Sequence, residues 1–576
     1  MKRNKLIALV LALFMLTGMT AACGEAKAPI DASASASASD SSAATTETTV
    51  AESAATPEAS VNPFMKFDPP IEVSVVKTAD SFFGYTEDQT ASKNDIYKLW
   101  EDVVGIKFVN KVETSSEAYS QKVRLLISSN DLPDLVSSSA ADFAEMSRND
   151  MIHDLKPYME SYMSSRTKEA FGAFEGKLYG PVTNGEAVYG LPATSNVEGS
   201  LRNVWIRKDW LDAVGKPVPT TMEELLDLAV AFTTQDPDKN GKNDTFGLPL
   251  DKDITTSLIN TLDVVSNAYG YYPSRIVKDA NGEVVIGTMN PGMKTILQKF
   301  QEFYKQGVFD PEFASKDFMQ VDADVGAGKI GLWPGVFWKP VDPGFAATYK
   351  DGVEWITAAI PQSSTVDAYR PYVPFPANGY YGVSKKFANP EALLVMANHF
   401  MSEDLSDKNG WAYNWMDVST KHSGVPTNNW SPVQWQDPLF FDATPLKKAM
   451  ADKEWDRLKP KFRVHGQAYD ILTGYTAPGG NPADAVTVRQ FTDIFLGAIG
   501  VTETYNANNF VFDAYFGAPT ETQKKQGSIL SKMETVALVQ IISGAKPVDY
   551  YDTFAENYMK QGGEAILNEI KAELAK

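Results

Sequence analysis

The sequence predicts an α/β protein in which a parallel sheet is covered by helices on both faces. Between residues 71 and 137, stretches in which apolar residues alternate are separated by stretches in which they recur at helical spacing. Strands and helices that alternate in this way are typical of parallel sheets. The chain has 576 residues, 43% of them hydrophobic. The region after residue 67, about 510 residues, is therefore long enough for two or three domains with their own cores.

The first region contains three predicted strands and two predicted helices. Ile71, Val73 and Val75 alternate as one face of a strand does, and residues 106–109 and 134–137 form the next two predicted strands. Between them, residues 94–104 and 117–129 carry apolar side chains at helical spacing. The order strand, helix, strand, helix, strand predicts neighbouring parallel strands.

The second region begins after residue 192 and is richer in helices. Thr220 and Glu223 have the spacing of a capping box, and they precede an apolar helical pattern that includes Leu225 and Phe232. Further core-facing helices are predicted at residues 293–304 and 390–401, and three helices close the chain, at residues 531–543, 549–561 and 564–575.

The N-terminus has the pattern of a secretory signal. Basic residues precede an apolar run at residues 6–16, and small residues lead to Cys23, the single cysteine of the chain. The segment resembles the lipobox of bacterial lipoproteins, although Thr20 stands where Leu is usual. The resemblance implies that residues 1–22 are a lipoprotein signal peptide, that Cys23 carries a diacylglyceryl group, and that the protein is anchored at the outer face of the cell membrane. A plain signal peptide with an incidental cysteine is the alternative.

Residues 23–67 are predicted to be a flexible, lipid-anchored linker. They are rich in Ala, Ser and Thr and offer little apolar surface to bury, so ordering them would cost more entropy than burial returns. No later segment is apolar over a length that would span a bilayer. The net charge of −20 argues against a nucleic-acid partner and against attraction to anionic lipid.

Several segments, in order along the chain, resemble the extracellular solute-binding proteins of ABC-type carbohydrate importers, in the large branch that includes alginate-oligosaccharide binders. They are NDLPD at 130–134, YGLP at 189–192, WIRKDWL at 205–211, DPDKNGKND at 236–244, YKQG at 304–307 and DPEF at 310–313. The resemblance implies a two-lobed, type II-like periplasmic-binding-protein fold with a hinge between the lobes and a ligand cleft between them. We expect lobe 1 at residues 68–188 and 325–385, and lobe 2 at residues 189–324 and 386–576.

The acidic loop at 236–244 has the first nine positions of a calcium loop. Oxygen side chains stand at positions 1, 3, 5 and 9, a main-chain carbonyl is available at position 7, and Gly241 occupies the sharp turn. Gly247 stands where an EF-hand has a bidentate Glu, so the loop is not a regular EF-hand. The family's sugar-binding members hold calcium in a similar loop, often with an acid where this chain has Thr245. We expect structural Ca²⁺ here, the alternative being a metal-free turn, with the ligands Asp236, Asp238, Asn240, Lys242 (carbonyl) and Asp244.

Tryptophans fall into two groups by sequence context. Five lie in helical or strand-like patterns that favour the core: Trp100, Trp205, Trp210, Trp355 and Trp455. Six lie in Gly-, Pro- and Asn-rich sequence that looks loop-like, including Trp430 and Trp435. A saccharide needs aromatic platforms for its C–H faces beside polar groups for its hydroxyls. The predicted ligand-binding residues are Trp333, Trp338, Tyr380, Tyr381, Trp411, Trp415, Asp417, Asn196 and Glu198; for each, a structural role is the open alternative.

These observations predict a monomeric, non-enzymatic receptor that captures an oligosaccharide and delivers it to the permease subunits of an ABC importer. No nucleophile elbow, P-loop or zinc-protease motif is present in the sequence. Two alternatives stay open. One is a surface glycoside hydrolase or polysaccharide lyase, because 73 acidic residues could supply a catalytic pair. The other is a receptor for peptides or other solutes on the same scaffold.

Overall fold

The computed structural model describes residues 61–80, 85–195, 197–257, 259, 261–402, 407–422, 427–435, 447–448, 452, 485–507, 509–517 and 519–575. The predicted signal peptide, Cys23, most of the predicted linker and Trp455 lie outside the described residues. Ser60–Lys576 form one compact unit.

The strands are short, and most of them pair across long stretches of sequence. In chain order they are β1 Ile71–Thr78, β2 Ile106–Thr114, β3 Leu135–Ser138, β4 Thr183–Asn184, β5 Ala187–Val188, β6 Leu191–Thr194, β7 Asn203–Arg207, β8 Ile276–Lys278, β9 Val284–Ile286, β10 Leu332–Gly335, β11 Trp355–Ala359, β12 Tyr372–Val373, β13 Ala377–Val383 and β14 Val511–Phe512.

Helices cover both the strands and the connections between them. In chain order they are α1 Asp95–Leu99, α2 Ser116–Ser128, α3 Ala140–Arg148, α4 Lys156–Tyr162, α5 Ser165–Gly172, α6 Lys208–Val214, α7 Met222–Thr234, α8 Thr261–Ala268, α9 Met293–Gln306, α10 Phe318–Gly326, α11 Pro343–Lys350, α12 Ala392–Met401, α13 Trp411–Lys421, α14 Ala485–Asn506, α15 Glu521–Ile542, α16 Tyr550–Tyr558 and α17 Glu564–Leu574. Over the described part of the chain, none of them is long and apolar enough to cross a membrane.

The first strand, helix and strand form the predicted parallel unit. β1 and β2 pair in parallel from Ile71 opposite Ile106 to Thr78 opposite Thr114, with a bulge between Val75 and Val76. The prediction that β3 continues this parallel sheet is wrong. β3 instead pairs antiparallel with β13, which also pairs with β6, so that the order is β3-β13-β6. A strand more than 200 residues later in the chain takes the place beside β3.

Two sets of apolar clusters lie within the compact unit, and we use them to name two parts of the described chain. Lobe 1 denotes the described residues of 61–194 and 377–435, which contribute the buried side chains of one set. Lobe 2 denotes the described residues of 203–359 and 485–575, which contribute those of the other set. β10 and β11 flank β7 in one sheet, whereas α12 packs with the core around β1. The predicted lobe boundaries differ from this naming at 325–359 and at 386–435, and they stay a prediction.

Two helix starts differ from the prediction. The capping box of α7 is formed by Thr221 and Glu224, one residue later than predicted. Glu223 instead accepts hydrogen bonds from Ser363 Oγ (2.7 Å) and from the Ser364 N–H (3.1 Å). The helix predicted at 531–543 begins ten residues earlier, at Glu521, because Thr520 supplies its own capping box.

Candidate functional site

A cavity of about 430 Å³ lies in lobe 1 at the carboxyl ends of β1 and β3. Open α/β sheets bind ligands at this edge, beyond the carboxyl ends of their strands. Its wall is assembled from six parts of the chain, and the lining residues are Val76, Lys77, Thr78, Ser116, Tyr119, Ser120, Ser137, Ala193, Thr194, Tyr381, Asn429, Ser431, Pro432 and Gln434.

Lys77 is a buried cation in this wall, with only 3% of its surface exposed. It stands near the end of β1, after two apolar residues that pack into the core. Its Nζ donates to the main-chain carbonyls of Asn429 (2.5 Å) and Ser431 (3.2 Å). Burial lowers the pKa of Lys77 to about 8, and the charge of Glu113 opposes this shift.

The first turns of α2 supply hydroxyl groups to the opposite side of the cavity. Ser115 caps the helix by accepting a hydrogen bond from the Ala118 N–H, so that the helix begins beside the end of β1. Ser116, Tyr119 and Ser120 then line the cavity. The Tyr119 hydroxyl donates to the carbonyl of Ser137 at 3.2 Å, which fixes its ring against β3.

Residues 427–435, which we term the wall segment, close the cavity and are fastened to lobe 1 by side chains from distant elements. Trp100 Nε1 donates to Ser431 Oγ at 3.1 Å. The Tyr381 hydroxyl accepts from the Gln434 N–H (3.0 Å) and donates to the Gln434 carbonyl (3.2 Å). Trp435 Nε1 donates to the Pro192 carbonyl at 3.0 Å. Lys77 adds its two bonds, so the wall segment is held from four directions.

The lining is suited to holding a polar, uncharged or anionic molecule by hydrogen bonds. It offers hydroxyls, two side-chain amides, one ammonium group and two tyrosine rings. Among the described lining residues there is no Asp, Glu, His or Cys. The cavity therefore has the donors and acceptors of a binding site, without a carboxylate pair for hydrolysis in this lining.

The acidic loop in lobe 2 forms a tight turn of the predicted kind. The Asp236 carboxylate accepts from the main-chain N–H groups of Asn240 and Gly241, both at 3.1 Å. Asn240 Nδ2 donates to Asp238 Oδ2 (2.7 Å) and to Asp244 Oδ1 (3.1 Å). Burial and the neighbouring carboxylates raise the pKa of Asp238.

Three observations bear on whether this loop fits calcium. Within the described chain, no group of three or more His, Cys, Asp or Glu side chains is arranged to hold a metal. The Thr245 hydroxyl donates to the Phe232 carbonyl at 2.7 Å and thus points away from the loop. A Cβ on Gly247 would lie 2.0 Å from the Ala229 carbonyl oxygen, so this position has no room for the Glu of an EF-hand. The oxygen donors present are those of the first nine positions only.

Comparison with known proteins places this chain in a family. The bacterial extracellular solute-binding protein family matches residues 84–404, more than half of the chain. The chain belongs to this family. Its members are receptors rather than enzymes, and this solute-binding protein shares their mixed α/β, type II fold.

Individual relatives agree with this membership. The solute-binding protein is 26% identical to lipoprotein LipO of Bacillus subtilis over 490 residues, which is 83% of this chain and 88% of LipO. It is 31% identical to the polygalacturonan/rhamnogalacturonan-binding protein YtcQ of the same organism over 136 residues, 24% of this chain and 26% of YtcQ. The structure of the alginate-binding protein AlgQ2, solved without calcium ion, matches with a TM-score of 0.56 at 16% identity and covers 88% of this chain and 99% of AlgQ2.

Of the predicted ligand-binding residues, Tyr381 lines the cavity and its neighbour Tyr380 does not. Successive residues of β13 point to opposite faces, so Tyr380 packs against Phe143, with ring centroids 5.9 Å apart, in a separate apolar cluster. Asn196 and the side chain of Glu198 lie outside the described residues. Asp417 is exposed on α13 and is not part of the cavity lining.

The tryptophans predicted in loop-like sequence are largely buried, and the loop-like interpretation is wrong for those that lie on helices or strands. Trp411 and Trp415 lie on α13 and pack into the core of lobe 1, where Trp411 is 3.9 Å from the ring of Trp100. Trp430 and Trp435 join the same core. Their rings bury apolar area rather than offering an open platform.

In lobe 2, Trp333 is fully buried on β10, and its ring lies 3.8 Å from Lys339 Nζ. Lys339 is itself buried and pairs with Asp322 (2.9 Å) and Asp342 (2.6 Å). Trp338 is half-buried just before a short 3-10 turn. Neither tryptophan lines the lobe 1 cavity. The tryptophans predicted to lie in the core at 100, 205, 210 and 355 are buried.

Sequence reasoning missed most of the polar lining, including Lys77, Thr194 and Gln434. One signal was available: the first predicted strand ends in Lys77-Thr78, polar residues that directly follow an apolar run. Polar residues at the carboxyl end of a strand in a parallel unit are candidate ligand contacts.

Proposed function

We propose that this protein is a lipid-anchored receptor that captures an oligosaccharide outside the cell and delivers it to the permease of an ABC importer. The observation that carries the proposal is the hydroxyl- and amide-lined cavity at the carboxyl ends of β1 and β3, in a chain of the solute-binding family. Its volume lies within the range of small-molecule sites, roughly 300–1,000 Å³.

The chemistry of the lining supports a saccharide. Sugar hydroxyls both donate and accept, as do the hydroxyls of Ser116, Ser120 and Thr194 that line the cavity. Of the two tyrosines in the lining, Tyr119 is half-buried and could offer an apolar ring face to sugar C–H groups. The relative YtcQ is named for binding polygalacturonan and rhamnogalacturonan. A carbohydrate thus agrees with both the lining and the relative.

Anchoring through Cys23 is the second part of the proposal. The lone cysteine at the end of the apolar leader is the expected lipid attachment site, and the relative LipO is named a lipoprotein. Two acyl chains anchor a protein stably, whereas one chain gives marginal binding. The receptor would then be retained at the outer face of the membrane beside its importer.

Structural calcium in the 236–244 loop is the third part. Asp236, Asp238, Asn240, Asp244 and the Lys242 carbonyl would hold the ion, with water completing a set of six to eight oxygens. A 180° turn of the Asn240 amide would exchange its nitrogen for an oxygen between Asp238 and Asp244. Burial and then the neighbouring carboxylates raise the pKa of Asp238, and a cation would relieve the repulsion among these carboxylates.

A thermal-shift screen followed by titration calorimetry against oligosaccharides tests the function. A ligand at 100 times its Kd stabilises the folded protein by about 2.7 kcal/mol. Ser120→Trp should fill the cavity and abolish binding, whereas Leu125→Trp, on the exposed opposite side of the same helix, is the matched control. If a saccharide binds both variants as tightly as it binds the unmodified protein, this cavity is not the site. If prolonged incubation cleaves the saccharide, the receptor proposal fails.

A further inference from the structure

We propose that the ring contact between Phe174 of lobe 1 and Phe512 of lobe 2 is a latch that holds the lobes in the arrangement seen here and opposes their closure over the cavity. This inference goes beyond the proposed function, and it rests on that function only for its consequence for solute affinity.

The two crossings between the lobes that the structure describes lie side by side. Residues 195–202 connect β6 with β7, and residues 360–376 connect β11 with β13. The Ser195 N–H donates to the Pro376 carbonyl at 3.1 Å, next to the pair of Ala377 and Thr194 in the sheet of lobe 1. Both crossings therefore leave lobe 1 at the same level, and a rotation of the lobes would have its axis near this point.

The second crossing is fastened to lobe 2 just before it reaches this level. Val373 of β12 pairs in parallel with Phe512 of β14. The Tyr372 hydroxyl donates to Asp513 Oδ2 at 2.7 Å, and the guanidinium carbon of Arg275 lies 4.5 Å from the centre of the Tyr372 ring. Phe512 is thus fixed to lobe 2 and would move with it.

A small apolar cluster encloses the crossings, apart from the clusters that form the cores of the two lobes. Phe174 and Phe512 both pack against it, with their ring centroids 6.2 Å apart and their planes at 68°. Among the members that the structure describes, Phe174 is the one that lobe 1 contributes. The fully buried members are Val197, Leu201, Val373 and Val501.

The backbone of Phe174 is strained. Its φ is +56°, in the left-handed region, where a bulky side chain is an outlier. Phe171 and Leu178, on either side of it, are fully buried and fix this stretch in lobe 1. Lobe 1 therefore holds the ring of Phe174 against lobe 2 at a cost in backbone energy, and such strain is characteristic of switch regions.

The contact belongs to an open arrangement of the lobes. All the described lining residues of the cavity lie in lobe 1, so lobe 2 does not cap the cavity here. Rotation about the crossings would either separate the two rings or press them together, and both changes are unfavourable because the rings are already in contact. An aromatic pair of this kind shifts the ratio of open to closed molecules by about two- to tenfold, and the apparent affinity for the solute falls with the closed fraction.

The test measures the separation of the lobes without any saccharide. Spin labels on Leu125→Cys and Lys525→Cys, in the full chain with Cys23→Ala, report the distance between α2 and α15 by pulsed electron spin resonance. Both positions are exposed, and the neighbouring residues Arg124 and Lys524 line a common crevice between the two helices.

We expect Phe174→Gly, which removes the ring and suits the positive φ, to broaden the distance distribution beyond that of the unmodified protein. Phe512→Ala should broaden it in the same way. The double variant should add nothing to the larger single effect, because both substitutions remove the same contact. The control is Phe303→Ala, which removes a half-buried ring of α9 that packs on Phe309, with centroids 6.3 Å apart, inside lobe 2. It should leave the distribution unchanged.

Three results would overturn the latch: folded Phe174→Gly and Phe512→Ala proteins that both keep the original distribution, effects that add in the double variant, or an equal broadening by Phe303→Ala. Melting curves identify the folded variants, and if Phe174→Gly does not fold, Phe512→Ala decides. Because no saccharide is used, loss of the latch would leave the receptor function standing. Failure of every saccharide to bind would remove the receptor function and leave the latch as measured.

Discussion

Tyr381 and Tyr380 are adjacent on β13 and allow a sharp test of the site. Tyr381→Phe removes the hydroxyl that accepts from the Gln434 N–H and donates to the Gln434 carbonyl, at 3.0 and 3.2 Å. Tyr381 is 7% exposed, so this main-chain pair loses a buried partner. Leaving a buried donor or acceptor unsatisfied costs about 1–3 kcal/mol. We expect the free energy of unfolding to fall by that amount.

The same substitution should weaken ligand binding, because the wall segment loses one of its four attachments while the ring of residue 381 remains in the cavity. Tyr380→Phe is the matched control, because Tyr380 points to the other face of β13, against Phe143, and is not among the cavity-lining residues. Urea unfolding followed by tryptophan fluorescence measures stability, with Trp435 as a local reporter 5.0 Å from the Tyr381 ring. Calorimetry measures affinity.

The reasoning is refuted if Tyr381→Phe leaves both quantities unchanged, or if Tyr380→Phe weakens binding as much as Tyr381→Phe does. The first result would mean that the wall segment is held without this hydroxyl. The second would mean that the ligand contacts the opposite face of β13.

Four further substitutions have distinct expected outcomes. Cys23→Ala should release the protein from the membrane fraction, and mass spectrometry of the unmodified protein should show lipid on Cys23; an unlipidated mature cysteine contradicts the anchor. Asp238→Ala and chelation should each lower the melting temperature if calcium is bound, and no change in either measurement identifies the loop as a metal-free turn. Trp333→Ala should cost about 3–5 kcal/mol of stability but leave the affinity of the folded protein unchanged, and a loss of affinity without a loss of stability would restore Trp333 as a ligand platform. Burial raises the pKa of Asp251 from 3.8 to about 6, so its protonated form favours folding; this contribution is full below pH 3.8 and is lost as the pH rises from there through 6. Asp251→Asn should therefore add about 1–2 kcal/mol at pH 7.5 and little at about pH 3.5, as measured by urea unfolding at both pH values.

The spacing of apolar residues in the sequence predicted those helices and strands whose position depends mainly on neighbouring residues. The spacing of apolar residues located β1, α1, β2 and α2 to within a few residues, because amphipathic periodicity follows directly from burial of one face. The position of β13 beside β3 could not be read in this way. Its antiparallel partner lies more than 200 residues away, and strand pairing depends on the packing of both lobes.

The start of α7 shows a second limit. Thr220 with Glu223 and Thr221 with Glu224 both fit the capping-box spacing, so the sequence alone offers two equivalent helix starts. Ser363, which lies 140 residues later in the chain, donates its hydroxyl to the Glu223 carboxylate. This carboxylate is therefore engaged elsewhere and does not cap the helix. Glu224 is then left to cap the helix.

The site was harder to predict than the fold. Its lining is drawn from residues between Val76 and Gln434, and no single segment carries enough of it to form a motif. Composition misled the interpretation of Trp411 and Trp415, because Gly, Asn and Asp beside them resemble a loop, whereas both tryptophans lie on the buried face of a helix. Local composition indicates turns but does not report what the rest of the chain covers.

The wall segment also determines when the protein can fold. Lys77 and Asn429 are 352 residues apart, and Trp435 reaches back 243 residues to Pro192. During synthesis from the N-terminus, the first strands of lobe 1 are made early. Trp435 and the rest of the wall segment, which complete the core of this lobe, are made only after most of the chain. In the same way, the core of lobe 2 includes residues of the C-terminal helices, the last of which ends at Leu574. Neither lobe can be completed before the other is largely present, so the long-range contacts that complete both cores form only late in synthesis.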